Sequence, residues 1–231
     1  MIHLDYGNHV TILGMTGSGK TVFAQWLFAQ FPRAIMIDIE DADHWERIIP
    51  RTIVTHSVRD LEKIVEVIRT QNVPEVHIVH KIPFHTNYAE ISTHFDDICS
   101  LIFYNLTYFS IFCDELGMAN QFRPMDTQAP PNYVNILIRG RKRKLSFVGG
   151  AQRNQHIPKV QITQSLHKFI FQLDFSDIKA YFKMGVIRNE HEIASLQDYH
   201  CLYLHGLERK VIAPVPMLRN ANTDPLEYQG E

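Results

Sequence analysis

The sequence predicts an α/β domain with a mainly parallel central sheet flanked by helices, and three observations carry that prediction. Short apolar runs bounded by turn residues alternate along the chain with longer stretches whose apolar residues fall three or four apart. The short runs are mainly apolar, and as strands of a parallel sheet they are expected to be buried on both faces. A glycine-rich octapeptide, Gly14-Met-Thr-Gly-Ser-Gly-Lys-Thr21, stands between the first run and the first helical stretch. Strands that alternate with helices form crossover units, and crossovers leave neighbouring strands parallel.

Taken in order, Val10–Leu13 is the first strand, and a helix runs on from Thr21. Ala34–Ile39 is the next strand, with the acids Asp38, Glu40 and Asp41 at its end. Over Val58–Gln71, Leu61, Ile64, Val65 and Ile68 share one helix face, with Arg59, Glu62, Lys63 and Glu66 around the rest. Val76–His80 reads as a strand. Tyr88–Asn105 repeats the helical period through Ile91, Phe95, Ile98 and Ile102, with Leu106 just beyond. Phe109–Cys113, Leu145–Val148 and Lys168–Leu173 complete the strands. The aromatic run Phe103, Tyr104, Tyr108, Phe109 and Phe112 reads as core. The polar composition from Asn220 onward divides the chain into one domain over residues 1–219 and a polar tail over 220–231.

Composition narrows the class. Hydrophobic residues make up 45% of the 231 and charged residues 21%, which excludes wholesale disorder. The three cysteines, Cys99, Cys113 and Cys201, are too few and too scattered for a disulfide framework or a zinc cluster, so a reducing compartment is expected. The N-terminus has neither the basic region nor the apolar run of a signal peptide. The most apolar long stretch, Ile98–Cys113, is interrupted by Ser100, Asn105, Thr107 and Ser110, so no membrane segment is expected. Thirteen histidines form no ligand spacing; His77, His80 and His85 come nearest, and a structural role is expected for them.

The octapeptide matches G-x-x-x-x-G-K-[ST], the phosphate loop of nucleotide-binding proteins, and has the strand before it and the helix after it that the motif requires. Its glycines let backbone N–H groups and a helix N-terminus face an anion. Gly14, Met15, Thr16, Gly17, Ser18, Gly19, Lys20 and Thr21 are therefore the expected ATP-binding set. Lys20 reaches the β and γ phosphates, and Thr21 ligates Mg²⁺. Ser110-Ile-Phe-Cys-Asp114-Glu115 is an apolar strand ending in two carboxylates, the pattern of a Walker B strand. Asp114 is the expected Mg²⁺ holder through water, and Glu115 the base that polarises the attacking water. The strand ending in Asp38, Glu40 and Asp41 is a competing candidate. Leu145-Ser-Phe-Val-Gly-Gly-Ala-Gln152 is a strand that delivers an amide; Gln152 lies level with Asp114 if the two strands are neighbours, placed to sense the γ-phosphate.

From Thr127 to Leu173 there is no Asp or Glu, while Arg139, Arg141, Lys142, Arg143, Lys144, Arg153, Lys159 and Lys168 give that window a charge of +8. The whole chain carries −2, so the remainder carries −10. Net neutrality thus conceals a basic segment. Three readings stay open for Arg139–Lys144: a solvated turn, a contact to nucleic-acid phosphates by charge alone, or an arginine finger that reaches a neighbouring subunit's nucleotide. Arg139, Arg141 and Arg143 are the finger candidates.

Together the three motifs resemble those of the FtsK–HerA superfamily, ring-forming P-loop DNA translocases of the RecA-like additional-strand class. GMTGSGKT is similar to its phosphate loop and IFCDE to its Walker B strand. NILIRGRKRKLSFVGGAQRNQHIP is similar to its arginine-rich helix and sensor-glutamine strand, and KFIFQLDFSD to the strand and acidic turn that follow. The resemblance spans Val10 to Tyr181 and implies a RecA-like P-loop NTPase fold. With the phosphate loop opening at residue 14, neither the membrane segments of chromosome translocases nor the N-terminal barrel of HerA-type repair proteins is expected. Minimal members of this size resemble the genome-packaging ATPases of membrane-containing double-jelly-roll viruses. The resemblance then implies an ATPase that uses ATP and Mg²⁺, forms a homo-oligomeric ring with itself, expected to be a hexamer, and drives double-stranded DNA into a procapsid. Its partners are viral capsid vertex proteins, and its place is the host cytoplasm or the packaging vertex. A HerA-type cellular or plasmid translocase, a filamentous-phage assembly protein and a monomeric P-loop kinase are the alternatives.

Overall fold

The computed structural model describes residues 4–40, 44–83, 87–120, 129–153, 156–218 and 226–227. Asp41, His85, Thr127, the 1–219 boundary and most of the 220–231 tail fall outside these residues. The strands are β1 His9–Leu13, β2 Arg33–Asp38, β3 Ile53–Thr55, β4 Val76–Lys81, β5 Phe109–Cys113, β6 Leu145–Ala151, β7 Ser165–Ile170, β8 Cys201–His205, β9 Glu208–Ile212 and β10 Leu226–Glu227. The helices are α1 Lys20–Phe28, α2 Val58–Gln71, α3 Tyr88–Asn105, α4 Leu116–Ala119, α5 Pro131–Arg139, α6 Lys159–Gln164, α7 Phe175–Lys183 and α8 His191–Ala194. All ten strands join one sheet in the order β10-β3-β4-β2-β5-β6-β1-β7-β8-β9.

Every pairing from β10 to β7 is parallel, and β8 and β9 add an antiparallel ribbon at the edge. The expected α/β architecture is therefore the observed one. The strands are apolar on both sides because both faces are covered. On one face Ile35, Ile78, Ile111, Phe147 and Ile170 meet α2, α3 and α5 through Leu61, Phe95, Ile102 and Tyr133. On the other, Val10, Ile12, Met36, Phe112 and Phe169 meet Phe23, Leu27 and Phe28 of α1, with Trp45 beside them.

Local chemistry sets the helix starts. The Ser57 hydroxyl accepts from the Asp60 amide at the head of α2, and Asn87 with Glu90 forms a capping box at the head of α3. At the tail of α2, Asn72 takes the left-handed conformation (φ 47°) that stops the helix.

Four expectations shift. The sensor strand runs on to Ala151, because Gly149 and Gly150 stay in register with β1 and β5. The strand expected over Lys168–Leu173 begins at Ser165, where it pairs with His9, and its end continues as extended chain beside the phosphate loop. Tyr104 and Tyr108 are 64% and 54% exposed and are not core; Tyr104 lies on the outer side of α3 and Tyr108 occupies a left-handed turn. Leu226–Glu227 pairs with β3 within the stretch read as a polar tail.

Candidate functional site

Sheet topology assembles the site. β6 lies between β1, which leads into the glycine-rich loop, and β5, which ends in the two acids. Leu13 is level with Ala151 and Cys113 with Gly149, so Gly14, Asp114 and Gln152 emerge side by side at one sheet edge. The close approach needs glycine at Gly150, where a Cβ would stand 2.5 Å from Asp114 Oδ1. It needs glycine at Gly14 as well, where a Cβ would fall 2.5 Å from Ser18 Oγ and 2.8 Å from Phe171 Cβ. Gly17 and Gly19 hold φ of 80° and 96°, which lets the loop turn back into the head of α1.

Lys20 opens α1 and is buried, and its Nζ donates to Asp114 Oδ1 at 2.8 Å. The Thr21 hydroxyl donates to Asp114 Oδ2 at 2.5 Å. The side chains of Lys20 and Asp114 are 8% and 10% exposed, so this ion pair is largely shielded from water. Thr16 Oγ1 donates to Gln152 Oε1 at 3.0 Å, tying the sensor amide to the loop. Glu115 is 8% exposed at the start of α4. Its carboxyl is pushed up to about 7, chiefly by burial and further by the nearby Glu40 and Asp114 carboxylates; Lys20 and a hydrogen bond with Gln152 pull the other way. A carboxylate titrating near neutral pH is well matched to taking a proton from water.

These residues line a cleft of about 490 Å³. Its far wall is apolar and was not anticipated from sequence: Tyr199, Cys201, Ala213, Pro214, Val215 and Met217. Tyr199 lies against the loop, its ring 3.2 Å from where a Gly19 Cβ would be. The sequence offers one cue, the extended Ala213-Pro-Val-Pro-Met217 after β9, because prolines cannot continue a ladder. A polar floor with an apolar wall suits a phosphorylated molecule that also carries a flat apolar ring. The donor set fits a hard cation: Thr21 and Asp114 offer oxygen, and the buried Ser18 Oγ has no hydrogen-bond partner among the described residues.

The competing acid strand, β2, ends at the same edge. Glu40 lines the cleft, whereas Asp114 contacts Lys20 and Thr21. The arginine candidates lie elsewhere. Arg139 ends α5, and Arg141 and Arg143 occupy the turn Gly140–Arg143 that enters β6 at its far end. The seven residues of β6, at about 3.3 Å each, put these arginines roughly 20 Å from Gln152. None of them lines the cleft. Arg143 is held by its Nη2 donating to Tyr104 O and Leu106 O, both at 3.2 Å. Arg139 and Arg141 are exposed, and no hydrogen bond or ion pair holds their side chains among the described residues.

The histidines pair within the fold. His77 bonds Phe31 O, and His80 bonds Thr55 and His94. No group of three or more metal-ligating side chains exists among the described residues. All three cysteines are buried and free. No helix among the described residues is long and apolar enough to cross a membrane.

Compared by sequence, the chain matches no protein-family model and no curated protein. Solved structures do match. The genome packaging NTPase B204 from Sulfolobus turreted icosahedral virus 2, solved with sulfate, superposes with a TM-score of 0.69 at 13% identity, over 92% of this chain and 99% of that one. B204 has also been solved with ATP-gammaS. VirB4 of Thermoanaerobacter pseudethanolicus gives a TM-score of 0.64 at 12% identity, over 90% of this chain and 89% of the other. The plasmid coupling protein TrwB, with ADP and Mg²⁺, gives 0.64 at 12% identity, over 95% and 87%. At such identities the likeness is one of fold. The fold is that of RecA-like P-loop ATPases, as the motif resemblance implied.

Proposed function

We propose that this protein is an ATP-hydrolysing motor that drives double-stranded DNA into a viral procapsid. The observation that carries this reading is the division of the site across the sheet. A hydrolytic set occupies one edge, and the arginines that would complete it occupy the opposite edge. A second copy of the chain, set head to tail, brings an arginine to the cleft, and repetition of that contact closes a ring.

In this reading the amides of residues 14–21 and the Lys20 ammonium hold the β and γ phosphates, and the base lies against Tyr199 and Pro214. Thr21 and Asp114, the latter through water, hold Mg²⁺, which supplies charge neutralisation on the phosphates. Glu115 accepts the proton of the attacking water as its oxygen bonds to the γ-phosphorus and the bond to the ADP oxygen breaks. Gln152 orients that water and senses the γ-phosphate, and Arg139 or Arg141 of a neighbour meets the charge that develops. Arg143 is the weakest of the three candidates because its guanidinium already serves two carbonyls. The domain is taken as residues 1–219, and the partners as DNA, further copies and capsid vertex proteins, in host cytoplasm or at the vertex. Near-complete mutual coverage with a packaging NTPase favours packaging over other DNA transport.

A plasmid or HerA-type translocase is the second reading, favoured by the comparable match to VirB4 and TrwB. Capsid genes beside this gene would support packaging, and a relaxase or nuclease gene would support the other. Sizing with an ATP analogue and DNA tests the ring: oligomers are expected, and a strictly monomeric, active protein would point to a kinase instead.

A further inference from the structure

A second cleft, of about 620 Å³, opens at the sheet edge opposite the nucleotide site. It lies where β7 begins and β8 ends, walled by α6, the end of α7 and the start of β9. Its charged lining is wholly cationic: Lys159, Lys168, Lys183 and Arg209, with no carboxylate among the lining residues. Arg209 is already matched, its Nη1 donating to both Glu192 oxygens at 3.0 and 3.1 Å. The three lysines are not. Lys159 and Lys183 are exposed and form no ion pair among the described residues. Lys168 is half-buried, its ammonium donating to one backbone acceptor, Ser165 O, at 2.6 Å, and burial lowers its pKa.

An ammonium that has lost water without gaining an anion is held at a cost. A phosphate entering the cleft relieves it. We infer that this cleft binds the phosphates of a nucleic-acid backbone, as a DNA contact separate from the nucleotide site. Its volume exceeds that of one phosphate, and three unmatched lysines around an open groove suit a row of phosphates. Two of them, Lys159 and Lys168, come from the acid-free stretch of the sequence.

The fold joins the cleft to the hydrolytic edge through β7. β7 runs from Lys168 to the phosphate loop, where the Phe171 amide donates to Leu13 O at 2.8 Å and the Met15 amide donates to Gln172 O at 2.9 Å. Lys159 opens α6, seven residues after Gln152 in the sequence. DNA held in the cleft therefore bears, through β7, on the phosphate loop.

This inference rests on DNA being the motor's partner, and the experiment separates the two. Binding of a duplex of about 20 base pairs to the full chain is followed by fluorescence anisotropy from about 50 to 200 mM salt, where each phosphate contact is worth about 3.5-fold in affinity. The Lys159→Gln/Lys168→Gln/Lys183→Gln variant is expected to lose about three phosphate contacts from its salt slope while DNA-free ATP hydrolysis stays at the wild-type rate. The Lys159→Gln/Lys183→Gln variant alters only exposed side chains and is expected to lose about two. Wild-type affinity and slope in both variants would overturn the cleft assignment and leave the motor reading standing. A wild-type protein that does not bind the duplex even at low salt would overturn both. Tripolyphosphate that displaces the duplex as effectively, phosphate for phosphate, as a second duplex would show a free-polyphosphate site and overturn the nucleic-acid assignment.

Discussion

Replacing Glu115 by Gln should abolish hydrolysis and stabilise the fold, and the size of the second effect follows from the first residue's surroundings. The Glu115 carboxyl is held at about 7 against an ordinary 4.5, with burial as the main cause. At 1.36 kcal/mol per pH unit that gap corresponds to about 3 kcal/mol of folding free energy given up when the carboxylate is ionised. The sign is fixed by proton counting. Between pH 4.5 and 7 the folded chain binds the proton more tightly than the unfolded chain, so this group's contribution to stability falls as pH rises through that window. Below 4.5 it has no effect, and above 7 the full loss is present. Glutamine keeps the shape without the charge. Urea denaturation should find the variant about 3 kcal/mol more stable at pH 8, or about 6–12 °C in melting temperature, and indistinguishable from wild type near pH 4. Its turnover should fall by about 10²–10⁴ with nucleotide affinity retained. Wild-type turnover itself should rise with pH as Glu115 ionises. Near-normal turnover in the variant would remove Glu115 as the base, and equal stability at pH 8 would refute the burial argument.

Three further outcomes are expected. Lys20→Ala should abolish binding of a labelled ATP analogue and cost about 3–5 kcal/mol in denaturation, because Asp114 is left charged and buried; analogue binding at wild-type affinity would contradict the assignment. Gly150→Ala places a Cβ against Asp114 and should cost about 1–3 kcal/mol while lowering turnover at least about tenfold, a loss that wild-type steady-state kinetics would exclude. Mixing the individually inactive Lys20→Ala and Arg141→Ala proteins should restore part of the ATPase activity through sites built from one intact cleft and one intact arginine; no recovery for either Arg139→Ala or Arg141→Ala mixtures would count against action between subunits.

The parts of the site that were legible in the sequence are those with short-range signatures. The phosphate loop is contiguous, and its glycines are needed for φ values that few other residues adopt. The Asp114-Glu115 strand and the Gln152 strand were legible as apolar runs ending in polar groups, and their adjacency is a property of the sheet, in which β6 lies between β1 and β5. The apolar wall was illegible because Tyr199 and Ala213–Met217 lie far along the chain and reach the loop only through the β8–β9 ribbon. Of that ribbon, β9, Glu-Arg-Lys-Val-Ile, is an edge strand with mostly polar, exposed residues and carries no strand signal, whereas β8, Cys-Leu-Tyr-Leu-His, is a buried apolar run that the sequence does show. β3 is too short, at three residues, to show a period. Tyr104 and Tyr108 misled because aromatic runs signal burial only when the backbone turns both rings inward, and here the positive φ at Tyr108 reverses the chain. The arginines were legible as a cluster, but their separation from their own cleft is a property of the sheet.

The most direct test is ATP hydrolysis by the full chain with and without double-stranded DNA across a salt series. Stimulation by DNA is expected, falling steeply with salt in the manner of phosphate contacts and absent in Glu115→Gln. Hydrolysis that DNA leaves unchanged at every salt concentration would contradict a DNA-translocating motor.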